Sequence, residues 1–302
     1  MKHLLPSAVR SSALRLALAV AGLSGGLACI APNTAAAQGG EGDAQALRAR
    51  LSELEPRLAS SPFGRPLLLQ SNDSTSAPLG EVWAVLDQPF DAVAGALRQP
   101  RHWCDILLLQ TNVKRCAPSA GEGAAQQLEV GVARRYTDPV DEAQSLAFRF
   151  AVPARQDDFF AVALLADQGP LGTQNYRLRL QAVPAPGGRT FMHMSYAYEM
   201  GLAARLATSA YLASAGRDKV GFSVVDRDEQ GHAQFVRGMQ GVAERNTMRY
   251  FLAIDSFVAT ASAPVQERLR RFHAALERYP AQLHETTQAE YLTMKQREVL
   301  AR

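Results

Sequence analysis

Beyond residue 37, this sequence lacks both a long apolar run and a net charge. None of its later segments is apolar over enough residues to span a bilayer. Of the 32 Lys and Arg residues, three lie in residues 1–37, which hold no Asp or Glu, so 29 basic residues face 29 acidic ones in the remainder. A neutral chain has no global electrostatic attraction to nucleic acid or to an anionic membrane.

Motifs that would fix a reaction are also missing. The only G-x-S-x-G, at Gly22–Gly26, lies in the amino-terminal segment, and Gly121-Glu122-Gly123 lacks the third glycine and the helix of a dinucleotide loop. In a strand, His193 would point away from the methionines on either side of it, which argues against a copper site. The calcium-like run from Asp226 has Arg237 at its twelfth position, where a glutamate is needed. The sequence therefore predicts no metal and no cofactor.

The first 37 residues have the order of a cleaved secretory signal. Basic residues precede an apolar run over residues 16–30, and the small residues Ala35-Ala36-Ala37 follow. This order predicts cleavage after Ala37 and a periplasmic or secreted protein. An uncleaved membrane anchor is one alternative, although the run is short and interrupted by glycines. A lipoprotein signal at Cys29 is another, ranked lower because Gly26 stands where such a signal has leucine.

Cysteine is scarce, with three in the chain, and Cys29 would leave with the signal. Cys104 and Cys116 then form an even pair, which favours a disulfide in an exported protein. The chain must fold back between them, because one extended strand would hold their Cα atoms too far apart. Two buried free thiols are the alternative.

Residues 127–200 alternate between apolar and polar side chains in five short segments separated by turn-rich breaks, which predicts antiparallel strands. The segment 191–200 shows the alternation most clearly. In a strand, its side chains divide between two faces, one carrying Met192, Met194, Tyr196, Tyr198 and Met200, the other carrying Phe191, His193, Ser195, Ala197 and Glu199. A face of methionines and tyrosines suits either a packed core or the wall of an apolar pocket.

The segments before this meander are predicted as follows. Residues 38–64 form a Gly-rich linker and a short amphipathic helix that begins at Asp43, either laid on the outside of the domain or acting as a mobile pro-segment. Pro56 should end or bend the last turn of this helix. Two strands over 66–70 and 80–87 follow, and two short helices then lead to an extended segment that ends near Cys116.

After Met200 the pattern becomes helical. A helix over Leu202–Ala213 and a hairpin over 220–236 precede a long helix with a broad apolar stripe, roughly Gln240–Ala261. The charged tail from Pro264 to Arg302 is predicted as two helices, broken at Pro280 and appended to the surface.

This order of elements is similar to the START-like helix-grip superfamily (SRPBCC), which includes polyketide cyclase-like and birch-pollen-allergen-like proteins. The opening run from Val82 to Val93, in which a strand passes through Pro89 into a helix, resembles the start of such domains. The resemblance implies an α+β fold in which a seven-stranded antiparallel curved sheet wraps round a long C-terminal helix and leaves an apolar cavity. It predicts a domain over 65–262 and a helical extension over 263–302. The insertion at 201–239 departs from the pattern and could form a lid.

In such a cavity, a set of apolar and aromatic side chains would line the wall: Trp83, Phe148, Phe150, Tyr176, Met194, Tyr196 and Tyr198. Arg245 and Arg249 lie four residues apart on one helix face and could hold a carboxylate or phosphate head group in the guanidinium fork. The alternatives are a packed core for the first set and a solvated helix flank for the second, with Glu244 and Asp255 pairing locally.

The sequence thus predicts an exported protein that holds a lipid-like or other apolar small molecule, with a possible envelope protein partner and no nucleic acid. A cyclase- or dehydratase-like enzyme is the first alternative, with Glu199, His193 or Tyr198 as acid or base. A structural envelope protein, whose interior is filled by its own side chains, is the second.

Overall fold

The computed structural model of the chain describes residues 35–120, 126–214 and 216–300, so the predicted signal over 1–37 lies almost wholly outside the described residues. Within these ranges, eight strands form one antiparallel sheet in the order β1-β2-β8-β7-β6-β5-β4-β3, and two more form a separate hairpin. The strands are β1 Leu67–Ser71, β2 Leu79–Leu86, β3 Val113–Ala120, β4 Gln126–Val132, β5 Gln144–Arg155, β6 Phe160–Gln168, β7 Thr173–Ala185, β8 Arg189–Met200, β9 Val224–Arg227 and β10 Ala233–Phe235.

Helices surround this sheet on both faces. The longest carboxy-terminal one, α5, lies against β1, β2 and β8 on the inner face. The helices are α1 Ala35–Ala59, α2 Phe90–Leu97, α3 Pro100–Leu107, α4 Leu202–Ala213, α5 Gly238–Ala259, α6 Val265–Leu276, α7 Pro280–Leu283 and α8 Gln288–Leu300. In the described part of the chain, no helix has the length and apolar character needed to cross a membrane.

The alternation of β8 places its two sets of side chains as predicted. Met192, Met194, Tyr196, Tyr198 and Met200 all face the inner core and are at most 8% exposed. At Gly80 on the neighbouring β2, a Cβ would lie 2.2 Å from Thr247 Oγ1, so the glycine allows α5 to approach the sheet closely. Sheet and helix are therefore in direct contact at this point.

The α+β helix-grip architecture predicted from the sequence is confirmed. A large, unclosed antiparallel sheet packs its inner face against a long helix near the carboxyl end. The sheet has eight strands in the described residues instead of seven. The additional strand, β1, pairs with β2 at the edge, where Leu67 is fully buried in the core.

The segment before the sheet differs from its prediction. The linker expected over 38–43 is helical, because α1 runs without a break from Ala35 to Ala59. Pro56 lies inside this helix and does not end it, and the Ser60 backbone N–H still donates to the Pro56 carbonyl at 3.2 Å. Leu47, Leu54 and Leu58 pack on the outer face of the sheet against Phe159 and Phe191. The amphipathic helix is therefore a packed outer layer of the described structure.

The prediction that the charged tail is appended to the surface is wrong. The apolar side chains of α6, α7 and α8 join the same core cluster as the inner sheet face, and the tail forms three helices in the described residues. Phe272 and Tyr291 are fully buried, and the Tyr291 hydroxyl donates to the Leu109 carbonyl at 2.8 Å. The charge of this segment hid its apolar positions, which are spaced so that each helix buries one face.

The predicted disulfide is confirmed. Cys104 on α3 and Cys116 on β3 are joined, with Cα atoms 5.2 Å apart and both side chains buried. The chain reverses between α3 and β3, which is the return that the pairing requires.

Candidate functional site

Four tyrosine rings gather between the inner face of the sheet and α5. Tyr196 on β8 and Tyr250 on α5 have ring centroids 4.6 Å apart, and their hydroxyls are close enough to interact. Tyr198 lies 5.7 Å from Tyr196 and stacks on Tyr176 of β7 at 5.3 Å. We call Tyr176, Tyr196, Tyr198 and Tyr250 the tyrosine cluster. It brings together aromatic rings from both layers of the fold.

The tyrosine cluster holds its hydroxyl protons. Burial raises the pKa of Tyr250 to about 12 and raises the pKa values of Tyr196 and Tyr198 well above their ordinary range. At neutral pH these side chains are therefore hydrogen-bond donors and acceptors rather than bases. They supply polar groups at fixed places in an apolar interior.

Arg245 of α5 borders the tyrosine cluster. Burial, followed by the charge of Arg249, lowers the pKa of Arg245 to about 10, and the Arg245 charge acts in turn on Tyr198 and on Tyr211 of α4. Arg245 Nη1 donates to the Val220 carbonyl at 3.1 Å. At this pKa, Arg245 remains charged at neutral pH.

Arg249 has a carboxylate partner from the carboxy-terminal segment. Its Nη2 lies 2.6 Å from Glu285 Oε1, and Thr111 Oγ1 donates to the other carboxylate oxygen at 2.6 Å. Lys219 is close enough to Glu285 for the two charges to interact, and its Nζ donates to the His284 carbonyl at 3.1 Å. We call Lys219, Arg245 and Arg249 the cationic group. It joins α5 to residues 219 and 284–285.

The solvated helix flank expected as an alternative on α5 is not observed. Glu244 is fully buried and accepts hydrogen bonds from Ser71 Oγ and from the Phe222 and Ser223 backbone, so it fixes the insertion to α5 and β1. Asp255 does not pair locally, because it makes a two-pronged contact with Arg65, 190 residues away, at 2.8 and 3.0 Å. Neither carboxylate could have been paired correctly from helix spacing alone.

Most predicted wall residues do lie on the inner face. Phe148 contacts Tyr176 with centroids 6.2 Å apart, and Phe150 and Met194 are buried in the same core cluster. With Tyr176, Tyr196, Tyr198, Arg245 and Arg249, they form one continuous region. The structure therefore brings together all but one of the predicted ligand-binding residues.

Trp83 is the exception, and its assignment to the cavity wall is corrected. It lies on the outer face of β2, where its ring stacks on His193 at 3.6 Å and Arg50 of α1 lies 5.1 Å above it. Both faces of β2 carry apolar residues, so the sequence did not tell which face Trp83 takes. The alternation of β8 decides it, since Trp83 pairs with His193 and Val82 pairs with Met194.

Two of the three acid–base candidates also lie outside the interior. His193 Nε2 contacts Glu81 Oε1 at 2.9 Å on the outer face, and this contact lowers the pKa of Glu81. Glu199 is partly exposed and accepts from Asn175 Nδ2 at 2.8 Å. Of the three candidates, Tyr198 alone lies in the interior, as a member of the tyrosine cluster, and its raised pKa makes it a poor base.

A cleft of about 470 Å³ opens at the edge of the sheet. It is lined by Leu69, Gln70, Ser71, Asn72, Leu79, Glu81, Ser223 and Gln240. Ser71 of the cleft pairs with Gly80, which pairs in turn with Tyr196 of the tyrosine cluster, so the three residues form one row across β1, β2 and β8. The close approach of Thr247 to Gly80 therefore lies between the cleft and the tyrosine cluster. The interior next to α5 is occupied by the packed tyrosine rings.

Sequence reasoning did not assign four residues of this region to the site: Tyr250, Lys219, Thr111 and Glu285. Tyr250 follows Arg249 on the same helix, so the mixed polar and apolar stripe of α5 was a usable signal. The other three carry none, because their positions depend on how distant segments return to α5. Within the described ranges, no group of three His, Cys, Asp or Glu side chains is placed to hold a metal ion.

No protein-family model matches the sequence, and no curated protein matches it either. Solved structures do resemble it. Norcoclaurine synthase from Thalictrum flavum is 14% identical, with 44% of this chain and 76% of that chain covered and a TM-score of 0.33. An aromatase/cyclase from Streptomyces sp. R1128 is 15% identical, with 66% and 98% covered and a TM-score of 0.35.

A protein from Thermus thermophilus is 11% identical, with 62% of this chain and 100% of that chain covered and a TM-score of 0.38. Likeness at this level carries no argument about function, and the fold assignment rests on the strand order and helix placement described above.

Proposed function

We propose that this chain is an exported binding protein that holds an apolar small molecule between the sheet and α5, at the tyrosine cluster. The protein would shelter its ligand from water and release it unchanged.

The observation that carries this proposal is the convergence of polar groups inside an apolar interior. Four tyrosines and two arginines meet where the sheet faces α5, and Tyr196 and Tyr250 span the two layers. A core built for stability alone gains more from aliphatic side chains, since buried hydroxyls and guanidinium groups lose their hydration. A few polar groups converging on an apolar surface are instead typical of a ligand site.

Ligand entry would require the tyrosine rings to separate. Met194 lies two residues from Tyr196 on the same face of β8, and Met248 of α5 is buried in the same core cluster. Unbranched methionine side chains adapt to new packing at low cost. An apolar ligand that buried about 300 Å² would gain about 7 kcal/mol from desolvation before the costs of association and ring displacement.

Export is part of the proposal and rests on residues 1–37. The basic, apolar and small-residue order of that segment supports secretion, and the Cys104–Cys116 bridge suits an oxidising compartment. Recovery of the chain from the periplasm or medium, beginning at Gln38, is the expected result. A chain retained in the cytoplasm with Met1 intact would contradict this part alone.

Native mass spectrometry of protein purified from its own envelope tests the binding. We expect a bound apolar molecule at close to one per chain, which solvent extraction releases and mass analysis identifies. Protein that is consistently empty, and that also fails to take up added lipid, would contradict the proposal and favour the structural envelope protein.

A further inference from the structure

We infer that the cationic group is a binding site for an anionic head group and that Glu285 fills this site while no ligand is bound. The inference rests on the proposed function and names the class of ligand: an apolar molecule that ends in a carboxylate, phosphate or sulfonate. The ligand's anion would replace the Glu285 carboxylate.

The first support is the geometry around Glu285. One carboxylate oxygen accepts from Arg249 Nη2 and the other from Thr111 Oγ1, each at 2.6 Å. These contacts are those that an anionic ligand would seek, a guanidinium on one side and a hydroxyl on the other. Glu285 stands between α7 and α8, in a short segment without regular structure, so it can leave without unfolding a helix.

The second support is a surplus of positive charge. Lys219, Arg245 and Arg249 face two carboxylates, Glu244 and Glu285, and Glu244 is already held by Ser71 and the 222–223 backbone. Arg249 Nε is buried and has no hydrogen-bond partner in the described part of the chain. A buried donor without a partner is costly, and a further oxygen of a carboxylate, phosphate or sulfonate head group could accept from it.

The third support is the position of the cationic group beside the tyrosine cluster. The Arg245 charge acts on Tyr198, and the Arg249 charge acts on Arg245. A ligand with its anion at Arg249 would therefore have its apolar part among the tyrosine rings. The Tyr211 ring of α4 also lies within reach of the Arg245 charge, so the insertion borders the same site.

Two fluorescent probes that share one skeleton test this inference. N-phenyl-1-naphthylamine is neutral, and 1-anilinonaphthalene-8-sulfonate carries the same rings with one sulfonate. In Glu285→Gln, the sulfonate probe should bind about tenfold more tightly than to the unaltered chain, since a charged competitor has been removed. The neutral probe should bind the two proteins equally.

Two further variants keep the test independent of folding. Thr111→Val loosens Glu285 without altering it, and should also favour the sulfonate probe over the neutral one. Glu277→Gln is the matched control, because Glu277 contacts His284 in the same segment but lies away from Arg249. It should change neither affinity.

The outcomes separate the two levels of the argument. If Glu285→Gln and Thr111→Val leave the ratio of the two affinities unchanged while both probes still bind in the interior, the inference is wrong and the proposed function stands. If neither probe binds any of the proteins, the proposed function is wrong as well. If the sulfonate probe gains affinity equally in Glu277→Gln, the effect is one of net charge and the inference is rejected.

Discussion

Two lysines, Lys114 of β3 and Lys295 of α8, share a single carboxylate, that of Glu298 in the carboxy-terminal extension. Lys295 Nζ lies 2.7 Å from one oxygen of Glu298, and Lys114 Nζ lies 2.7 Å from the other. Lys295 also donates to the Val113 carbonyl at 2.8 Å and is fully buried. Burial lowers the pKa of Lys295 to about 8, against the opposing effect of Glu298 and with a smaller contribution from Lys114.

This lowered pKa makes stability depend on pH in a definite direction. Between about pH 8 and the ordinary lysine value of 10.5, the unfolded chain binds this proton more tightly than the folded protein does. The contribution of Lys295 to the free energy of unfolding should therefore rise with pH in that window, by at most about 1.4 kcal/mol per pH unit. Below about pH 8 the contribution is constant.

Urea unfolding of the unaltered chain and of Lys295→Met across this window measures the effect. The difference between the two free energies of unfolding isolates Lys295 from the tyrosines and other lysines that titrate nearby. We expect this difference to shift in favour of the unaltered chain as the pH rises. A difference that stays constant from about pH 8 to 10.5 would show that the buried lysine keeps its ordinary pKa.

At the residue scale, the sequence predicted which side chains of β8 share a face but not which partners charged residues take. Alternation is a local property, so Met194, Tyr196 and Tyr198 were placed correctly. Glu285 and Asp255 pair with residues far away along the chain, which no spacing rule can supply. Trp83 was misplaced because β2 buries apolar side chains on both faces.

At the scale of elements, the disulfide between α3 and β3 joins two neighbouring segments of the inner layer. The Cys104–Cys116 bridge closes a short loop, with a sequence separation of 12. A bridge across a loop of this length stabilises a fold by roughly 2 to 3 kcal/mol, largely by restricting the unfolded chain. Replacing both cysteines by alanine should therefore lower the melting temperature by several degrees.

Thermal unfolding followed by circular dichroism, with and without a reductant, checks this. The reductant should lower the melting temperature of the unaltered chain and leave that of Cys104→Ala/Cys116→Ala unchanged. Equal melting temperatures for both proteins under oxidising conditions would mean that the bridge contributes nothing to stability.

Helices and strands with a strong period were predictable, and their assembly was less so. The alternating strands and the apolar stripe of α5 follow from local patterns. The packing of α6 to α8 into the main core does not, since their buried side chains are few per helix and separated by charges. Likewise, the sequence pattern over α1 predicts a linker followed by a helix, although the segment forms one helix on the outer face of the sheet.

At the scale of the whole molecule, the sheet separates two apolar layers of different character. The outer layer, between α1 and the sheet, is built mainly from leucine, phenylalanine and alanine. The inner layer, between the sheet and α5, also contains the tyrosine cluster, the methionines and the buried arginines. The polar groups around Trp83 on the outer face are partly exposed, whereas the tyrosine cluster of the inner layer is buried, which is why the ligand site is proposed there.

The ε-methyl ¹³C resonances of the methionines test that assignment most directly. Met194, Met200 and Met248 lie in the inner layer. Met239 precedes Gln240 of the edge cleft. Met294, in the carboxy-terminal extension, lies beside Lys114 of β3. Titration with N-phenyl-1-naphthylamine should shift the inner-layer methyl signals at one equivalent and leave the Met294 signal in place. Saturable binding that moves only the Met239 signal, or moves none of them, would contradict a site between the sheet and α5.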